Sequence, residues 1–187
     1  MLPQVEIKPA VIDWTGLPKR YMNPGELETL VALIGSVSPR VVVEFGINTG
    51  RTAKAILREV LGIEQYIGYD VMPGYVTEKK VQRKEVPALA GEMVKDDPRV
   101  TVWVSKNGSH DFDRIPPCDV VFIDGDHSRA GVEHDTQLAR AAVRSGGLII
   151  WHDYHDLGTV DVREVLDEMA GDIQHVKGTW IAFERVK

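Results

Sequence analysis

Two hydrophobic periods alternate along the chain. The first is helical: in NPGELETLVALIG, Leu27, Leu30, Val31 and Ile34 fall on one face, and Gly35 ends the run. Asn23 stands where a cap is wanted, Pro24 suits the first turn and Glu26 completes a capping box. The second is β-type. RVVVEFG, from Arg40 to Gly46, is apolar at consecutive positions between Pro39 and a glycine, the pattern of a strand buried on both faces. Helical spacing returns in RTAKAILREVLG, with Ala53, Ile56, Leu57 and Val60 inward and Gly62 as the stop. Further strands are predicted over QYIGYD, ending at Asp70, over Arg99 to Ser105, over Cys118 to Asp126, and over GLIIWHDY after the Ser-Gly-Gly at 145–147. Helical stretches over 78–96 (interrupted by Pro87), 128–143 and 160–170 lie between them. DIQHVKG and TWIAFERV close the chain as two strands joined by a tight turn at Lys177 and Gly178.

Strands separated by helices need crossover connections, and crossovers make a parallel sheet covered on both faces. The expected fold is therefore α/β: a Rossmann-like three-layer sandwich with a mostly parallel seven-stranded sheet and a C-terminal antiparallel hairpin. Residues 1–187 read as one unit, an irregular arm over 1–22 and a core over 23–187. Ligands in such folds sit beyond the carboxyl ends of the strands. That rule gathers Glu44 to Gly50, Asp70, Ser105 to Ser109, Asp124 to His127 and His152 to His155 along one rim.

Composition narrows the partners. A formal net charge of -6 disfavours a polyanion, so nucleic acid is not expected. One cysteine, Cys118, excludes an intrachain disulfide or a multi-cysteine metal site and suits the cytoplasm. No apolar run reaches the length of a signal peptide or a membrane span, so no membrane partner is expected.

Three rim segments carry candidate chemistry. In EFGINTG, Gly46 lets the backbone turn tightly beside a ligand and Gly50 removes a side chain where helix and ligand would meet. Its G-x-x-x-G spacing departs from the dinucleotide fingerprint G-x-G-x-x-G. Asp70, at a strand tip, can accept hydrogen bonds from both hydroxyls of a ribose. FIDGDHS and WHDYH place Asp124, Asp126, His127, His152, Asp153 and His155 on two strand ends, a density of titratable groups that a structural rim does not need.

The ordered set EFGINTG, YIGYD, FIDGDHS, GGLIIWHDY and GTWIAF resembles the class I S-adenosylmethionine-dependent methyltransferases, and more narrowly the DGDHS branch similar to macrocin-type sugar O-methyltransferases. The resemblance implies a methyltransferase that uses S-adenosylmethionine on a small-molecule hydroxyl, a sugar or natural-product-like acceptor. It places Glu44, Gly46, Asn48, Thr49 and Gly50 along the methionine half of the cofactor and Asp70 on the ribose. Val71 and Met72 fall on the adenine, with Asn107, Gly108 and Ser109 bordering it. Asp124 faces the reaction centre and His127 closes over the cofactor or reaches the acceptor. Asp124, His152 and Asp153 stand where that branch holds a divalent metal, Mg or Mn. Histidine replaces a carboxylate at 152, and an imidazole suits manganese, iron or zinc better than magnesium. Without a metal, Asp126, His127 or His152 is the candidate base. Two other classes remain open: a nicotinamide-dependent Rossmann oxidoreductase and a non-catalytic S-adenosylmethionine-binding module.

Other features have plainer readings. Lys79, Lys80, Arg83 and Lys84 form a basic face, solvated or facing an anionic substrate group. Trp103, Trp151 and Trp180 are expected in strands and in the core, Cys118 as inert, and His110, His134 and His175 as loop or surface residues. The arm with Trp14, Tyr21 and Met22 either covers the substrate or packs on a second copy in a homo-oligomer.

Overall fold

Every central strand that the β-branched runs predict is present, and the central strands pair in parallel. The computed structural model describes residues 1–19, 22–76, 86–158, 160–169 and 171–187. In chain order its elements are β1 (Gln4–Val5), α1 (Glu26–Gly35), β2 (Val41–Phe45), α2 (Arg51–Glu59), β3 (Gln65–Val71), β4 (Val100–Ser105), β5 (Cys118–Ile123), α3 (Arg129–Ala142), β6 (Val143–Trp151), α4 (Val162–Glu168), β7 (Gln174–Val176) and β8 (Ala182–Arg185). They form an eight-stranded sheet of order β1-β7-β8-β6-β5-β2-β3-β4. β2, β3, β4, β5 and β6 pair in parallel, whereas β8 runs antiparallel to both β6 and β7.

Strand alternation sorts the core into two layers. Val42 joins Leu27, Leu30, Ile34 and Ile56 from α1 and α2 on one face. Val43 and Phe45 join Val132, Leu138, Val165 and Leu166 from α3 and α4 on the other. Burial of each such side chain contributes roughly 1.5–3 kcal/mol, so packing rather than propensity holds a ten-residue helix like α1. Trp151 and Cys118 lie wholly inside. Burial pushes the Cys118 thiol up to about 12, which keeps it an inert thiol.

Four readings change. The sheet has an eighth strand, because part of the arm, Gln4 and Val5, pairs in parallel with His175 and Val176 of β7. The helix expected over 78–96 is, in its described part, a turn followed by the short 3-10 helix Glu92–Val94; Pro87 withholds a backbone donor and Gly91 sits at φ 72. The rest of that stretch, with its basic face, lies outside the described residues. Trp103 is 52% exposed rather than core, since β4 is the last strand of the sheet and is exposed along much of its length. Trp180 precedes β8 and is half-buried, packed on His155 with ring centroids 4.1 Å apart and the ring planes tilted by 52°.

Candidate active site

β2 lies between β3 and β5, and the chain leaves it in one direction and returns in the other; such a switch point opens a crevice at the strand tips. Backbone bonds carry the pairing past the strand ends: Gly46 N–H donates to Tyr69 O (2.8 Å) and Asp124 N–H to Phe45 O (2.9 Å). Gly46 sits at φ 84, and a Cβ there would stand 2.1 Å from Asp124 O. Only glycine fits where β2 and β5 approach this closely. The following loop holds Asn48 at φ 50, and its N–H donates to Asp70 Oδ2 (2.6 Å), while Asp70 Oδ1 accepts from the N–H of Val71 (2.7 Å). The tip acid therefore orders the glycine loop.

These tips enclose a cleft of about 620 Å³, counting its open mouth. Gly46, Asn48, Asp70, Val71, Asn107, Gly108, Ser109, Asp124 and Asp126 line it. Glu44, Thr49, Gly50, Met72 and His127 do not. Glu44 shares the face of Val42 by strand alternation and is 1% exposed, with its Oε2 accepting from Tyr66 Oη (2.9 Å). Burial raises its carboxyl well above the usual range. Thr49 is turned into the loop, its carbonyl accepting from Met93 N–H (2.9 Å), and Gly50 opens α2. Met72 is 50% exposed. The cleft also includes Phe45, Tyr69 and Gly125, which lie within the motifs, and Tyr75, Val86 and His110, which lie outside them. Tyr75 Oη donates to Asp126 Oδ2 (2.7 Å), joining the loops after β3 and β5 across the cleft. An aromatic shortly after the Asp70 tip and a histidine next to Ser109 were the available sequence signals.

Asp124 belongs to the cleft and also to a second constellation. His152 and Asp153 follow β6, β5's neighbour, and His152 N–H donates to Ile123 O (3.1 Å), which sets them level with Asp124. His152 Nδ1 is 3.5 Å from Asp124 Oδ1 and 3.3 Å from Asp153 Oδ1. His127 Nε2 bridges the same carboxylates, at 3.3 Å from Asp124 Oδ1 and 3.2 Å from Asp153 Oδ2, and His155 Nε2 is 3.5 Å from Asp153 Oδ1. Asp153 adopts φ 59, a left-handed conformation uncommon outside glycine, of the kind found where function constrains the backbone. On the outer side of His155 lies the Trp180 ring.

Electrostatics tie the group together. Burial opposes charge on Asp124, but the His152 imidazole and the His127 hydrogen bond hold its carboxyl well below the usual carboxylate range. His152 is 2% exposed; burial opposes its cation too, yet Asp124, Asp153 and Glu26 raise it well above an ordinary histidine. The donor set fits a divalent ion. Ligands each about 2.1 Å from a first-row ion stand roughly 3–3.5 Å apart, and the Nδ1 separations above fall there. Asp124, His152 and Asp153 each offer an atom within 4.8 Å of the others.

Beneath the cleft floor, Asp135 of α3 is fully buried under Gly125, and among the described residues neither of its oxygens makes a hydrogen bond of ordinary geometry. Burial pushes its carboxyl up to about 7, with Ser109 opposing and Asp126 adding to the rise. The folded state thus holds this proton more tightly than the unfolded chain, so stability falls as pH rises from about 4 to about 7. Asp135→Asn removes that slope. The expected result is a melting temperature near wild type at pH 4 and above wild type at pH 8, read by circular dichroism; equal values at pH 8 would exclude the effect.

A family model described as a methyltransferase domain matches residues 43–154, the span from β2 to the end of the Asp124–Asp153 constellation, and the chain belongs to that family. No curated protein sequence matches it. Solved structures share the fold at low identity. The O-methyltransferase TomG of Streptomyces achromogenes, involved in tomaymycin synthesis and solved with S-adenosylmethionine, is 16% identical with a TM-score of 0.62, over 92% of this chain and 85% of its own. The S-adenosylhomocysteine-bound methyltransferase PaMTH1 of Podospora anserina is 11% identical with a TM-score of 0.62, over 88% and 79%. The Bacillus cereus O-methyltransferase, also solved with S-adenosylhomocysteine, is 17% identical with a TM-score of 0.54, over 90% and 83%. Among the described residues no helix is long and apolar enough to cross a membrane.

Proposed function

We propose that the chain transfers a methyl group from S-adenosylmethionine to a hydroxyl of a small acceptor, with the two substrates meeting at Asp124. One observation carries the reading: Asp124 lines the cleft and at the same time joins the His152–Asp153 cluster, so one side chain borders both the cofactor's space and a buried charged site. The family membership supports the reaction class, and the ligands bound to TomG and the Bacillus cereus enzyme support the donor. Both core layers pack on one sheet, which supports 1–187 as a single unit with 1–22 as its arm. A small acceptor rather than a polyanion suits the chain's charge of -6, and the single cysteine suits the cytoplasm.

S-adenosylmethionine supplies a methyl already activated by a sulfonium, so the protein's work is alignment and management of the acceptor's proton. Asp70 takes the ribose, Gly46 and Asn48 the amino-acid end, and Asn107 to Ser109 with Val71 the base. His127, with Nε2 between Asp124 and Asp153, stands beside the reaction centre and holds both carboxylates, and Tyr75 bonded to Asp126 spans the cleft. A divalent ion held by Asp124, His152 and Asp153 would lower the pKa of an acceptor hydroxyl and orient it.

Calorimetric titration with S-adenosylhomocysteine and with NAD tests the donor: binding of the former is expected, and binding of NAD alone overturns the reading. Consumption of methyl donor across a panel of catechols, sugars and glycosides, with and without Mn²⁺, tests turnover. Silence across the panel despite donor binding would favour a non-catalytic module.

The imidazole sets the ion preference. Mn²⁺ or Co²⁺ is expected to bind at least ~10-fold more tightly than Mg²⁺, and His152→Asp to shift the preference toward Mg²⁺, because oxygen donors suit the harder ion. Calorimetry of the full chain with each ion reads this directly; tighter Mg²⁺ binding by the wild type would refute it.

A further inference from the structure

Glu26 is a glutamate with no exposed surface, in the first turn of α1, and its carboxylate is fully engaged. Oε2 accepts from Asn23 N–H (2.7 Å) and Oε1 from Asn23 Nδ2 (3.1 Å), but the expected capping box does not form, because Gly25 rather than Asn23 caps α1 and Glu26 is its first residue. Tying down the preceding loop does not require burial, and the other two partners are remote in sequence. Trp180 N–H donates to Oε1 (2.6 Å), and His152 Nε2 stands 3.3 Å from Oε2. Of these four partners only His152 can carry a positive charge. Burial opposes the carboxylate, but the His152 and Trp180 hydrogen bonds hold its carboxyl at about 2.

An imidazole has two nitrogens, and the bond made by one fixes what the other can do. With Nε2–H donated to Glu26, the Nδ1 edge of His152 faces Asp124 and Asp153. Carboxylate, imidazole and ion in this order form the arrangement by which an outer carboxylate sets the tautomer and orientation of a ligating histidine. Trp180 extends the link, since its backbone N–H anchors Glu26 while its ring packs on His155 beside Asp153.

We propose that Glu26 is a positioning residue of the active site, holding His152 by Nε2–H so that Nδ1 is presented to an ion shared with Asp124 and Asp153. This rests on the reading of those three residues as an ion site. Its role is to act through His152, not to touch a substrate.

The test measures Mn²⁺ binding by the full-length chain, from the loss of free-ion electron paramagnetic resonance signal. It compares wild type, Glu26→Gln, His152→Ala and the double variant, with circular dichroism to confirm folding. Glu26→Gln is expected to weaken binding about 10–100-fold, and the double variant to bind no more weakly than His152→Ala. Wild-type affinity in Glu26→Gln overturns the inference and leaves the ion site standing. Failure of the wild type to take up any ion overturns both. A measurement on the wild type alone needs no variant to fold: with ¹⁵N-labelled histidine and Zn²⁺, long-range proton–nitrogen correlations should show His152 coordinated through Nδ1 with the proton on Nε2. Coordination through Nε2, or none, overturns the inference.

Discussion

Asp124→Asn is expected to lower methyl transfer by about 10²–10⁴-fold while leaving the fold in place. Asparagine keeps the volume and one acceptor oxygen, so the backbone bond from Asp124 N–H to Phe45 O that closes β5 onto β2 is untouched. What disappears is the charge. In the native chain that carboxylate accepts the approach of both His127 and His152, and with it goes the negative group that holds the two imidazoles facing the same point. The ion site loses one of its two carboxylates, so Mn²⁺ binding should fall with turnover. The donor's main contacts at Asp70 and at Asn107 to Ser109 are not altered, and affinity for S-adenosylhomocysteine should stay within about tenfold of wild type. Initial rates combined with calorimetry on the same preparation separate the two. A rate within about threefold of wild type would remove Asp124 from the reaction.

Gly46→Ala is expected to damage stability and donor binding together. The left-handed φ of 84 costs an L-residue roughly 1–2 kcal/mol. The new methyl would also stand 2.1 Å from Asp124 O, 2.7 Å from Asp124 C and 2.9 Å from Gly125 Cα, all backbone atoms that no rotamer change can move aside. Overpacking of this kind adds roughly 1–3 kcal/mol. A combined loss of about 2–5 kcal/mol lowers the melting temperature by roughly 5–15 °C in a chain of this size. Relief requires β2 and β5 to part at the switch point, which displaces Asp124, and a displacement near 1 Å can cost about 10²-fold. Gly62→Ala is the control: its φ is 91 and nothing lies within 4 Å of its added methyl, so it carries the backbone strain without the collision. If both variants melt at the same temperature, close approach of β2 and β5 is not the reason for glycine at 46.

Much of the site was legible because strand tips are local events. The β-branched run before EFGINTG located β2, and a glycine after a buried strand implies a turn whatever the rest of the chain does. The same logic placed Asp70, Asp124 and the His152–Asp153 pair, each ending a strand that reads clearly in one dimension. Residues on the loops between were less legible. Tyr75 reaches Asp126 from a loop and His110 reaches the cleft from the short 3-10 helix Gly108–Asp111, neither of which carries a hydrophobic period. Glu44 shows the limit from the other side: it lies in the motif, yet strand alternation sends its side chain to Tyr66 rather than into the cleft. Trp103 fell outside the core because hydrophobicity alone does not say which strand will be the edge.

The sequence by itself determined the element types, the succession of parallel strands, the glycine turn at Gly46 and the identity of the ionisable groups at the tips, since each depends on residues within a few positions of one another. Only the tertiary structure decided strand order, and with it that β5 and β6 lie side by side so that Asp124, His127, His152 and Asp153 converge. It also brought Glu26, 126 residues from His152 in the chain, against the imidazole's far nitrogen. Such pairings are set by packing of α1 over the sheet and by the returning hairpin, interactions between distant segments that no local pattern encodes.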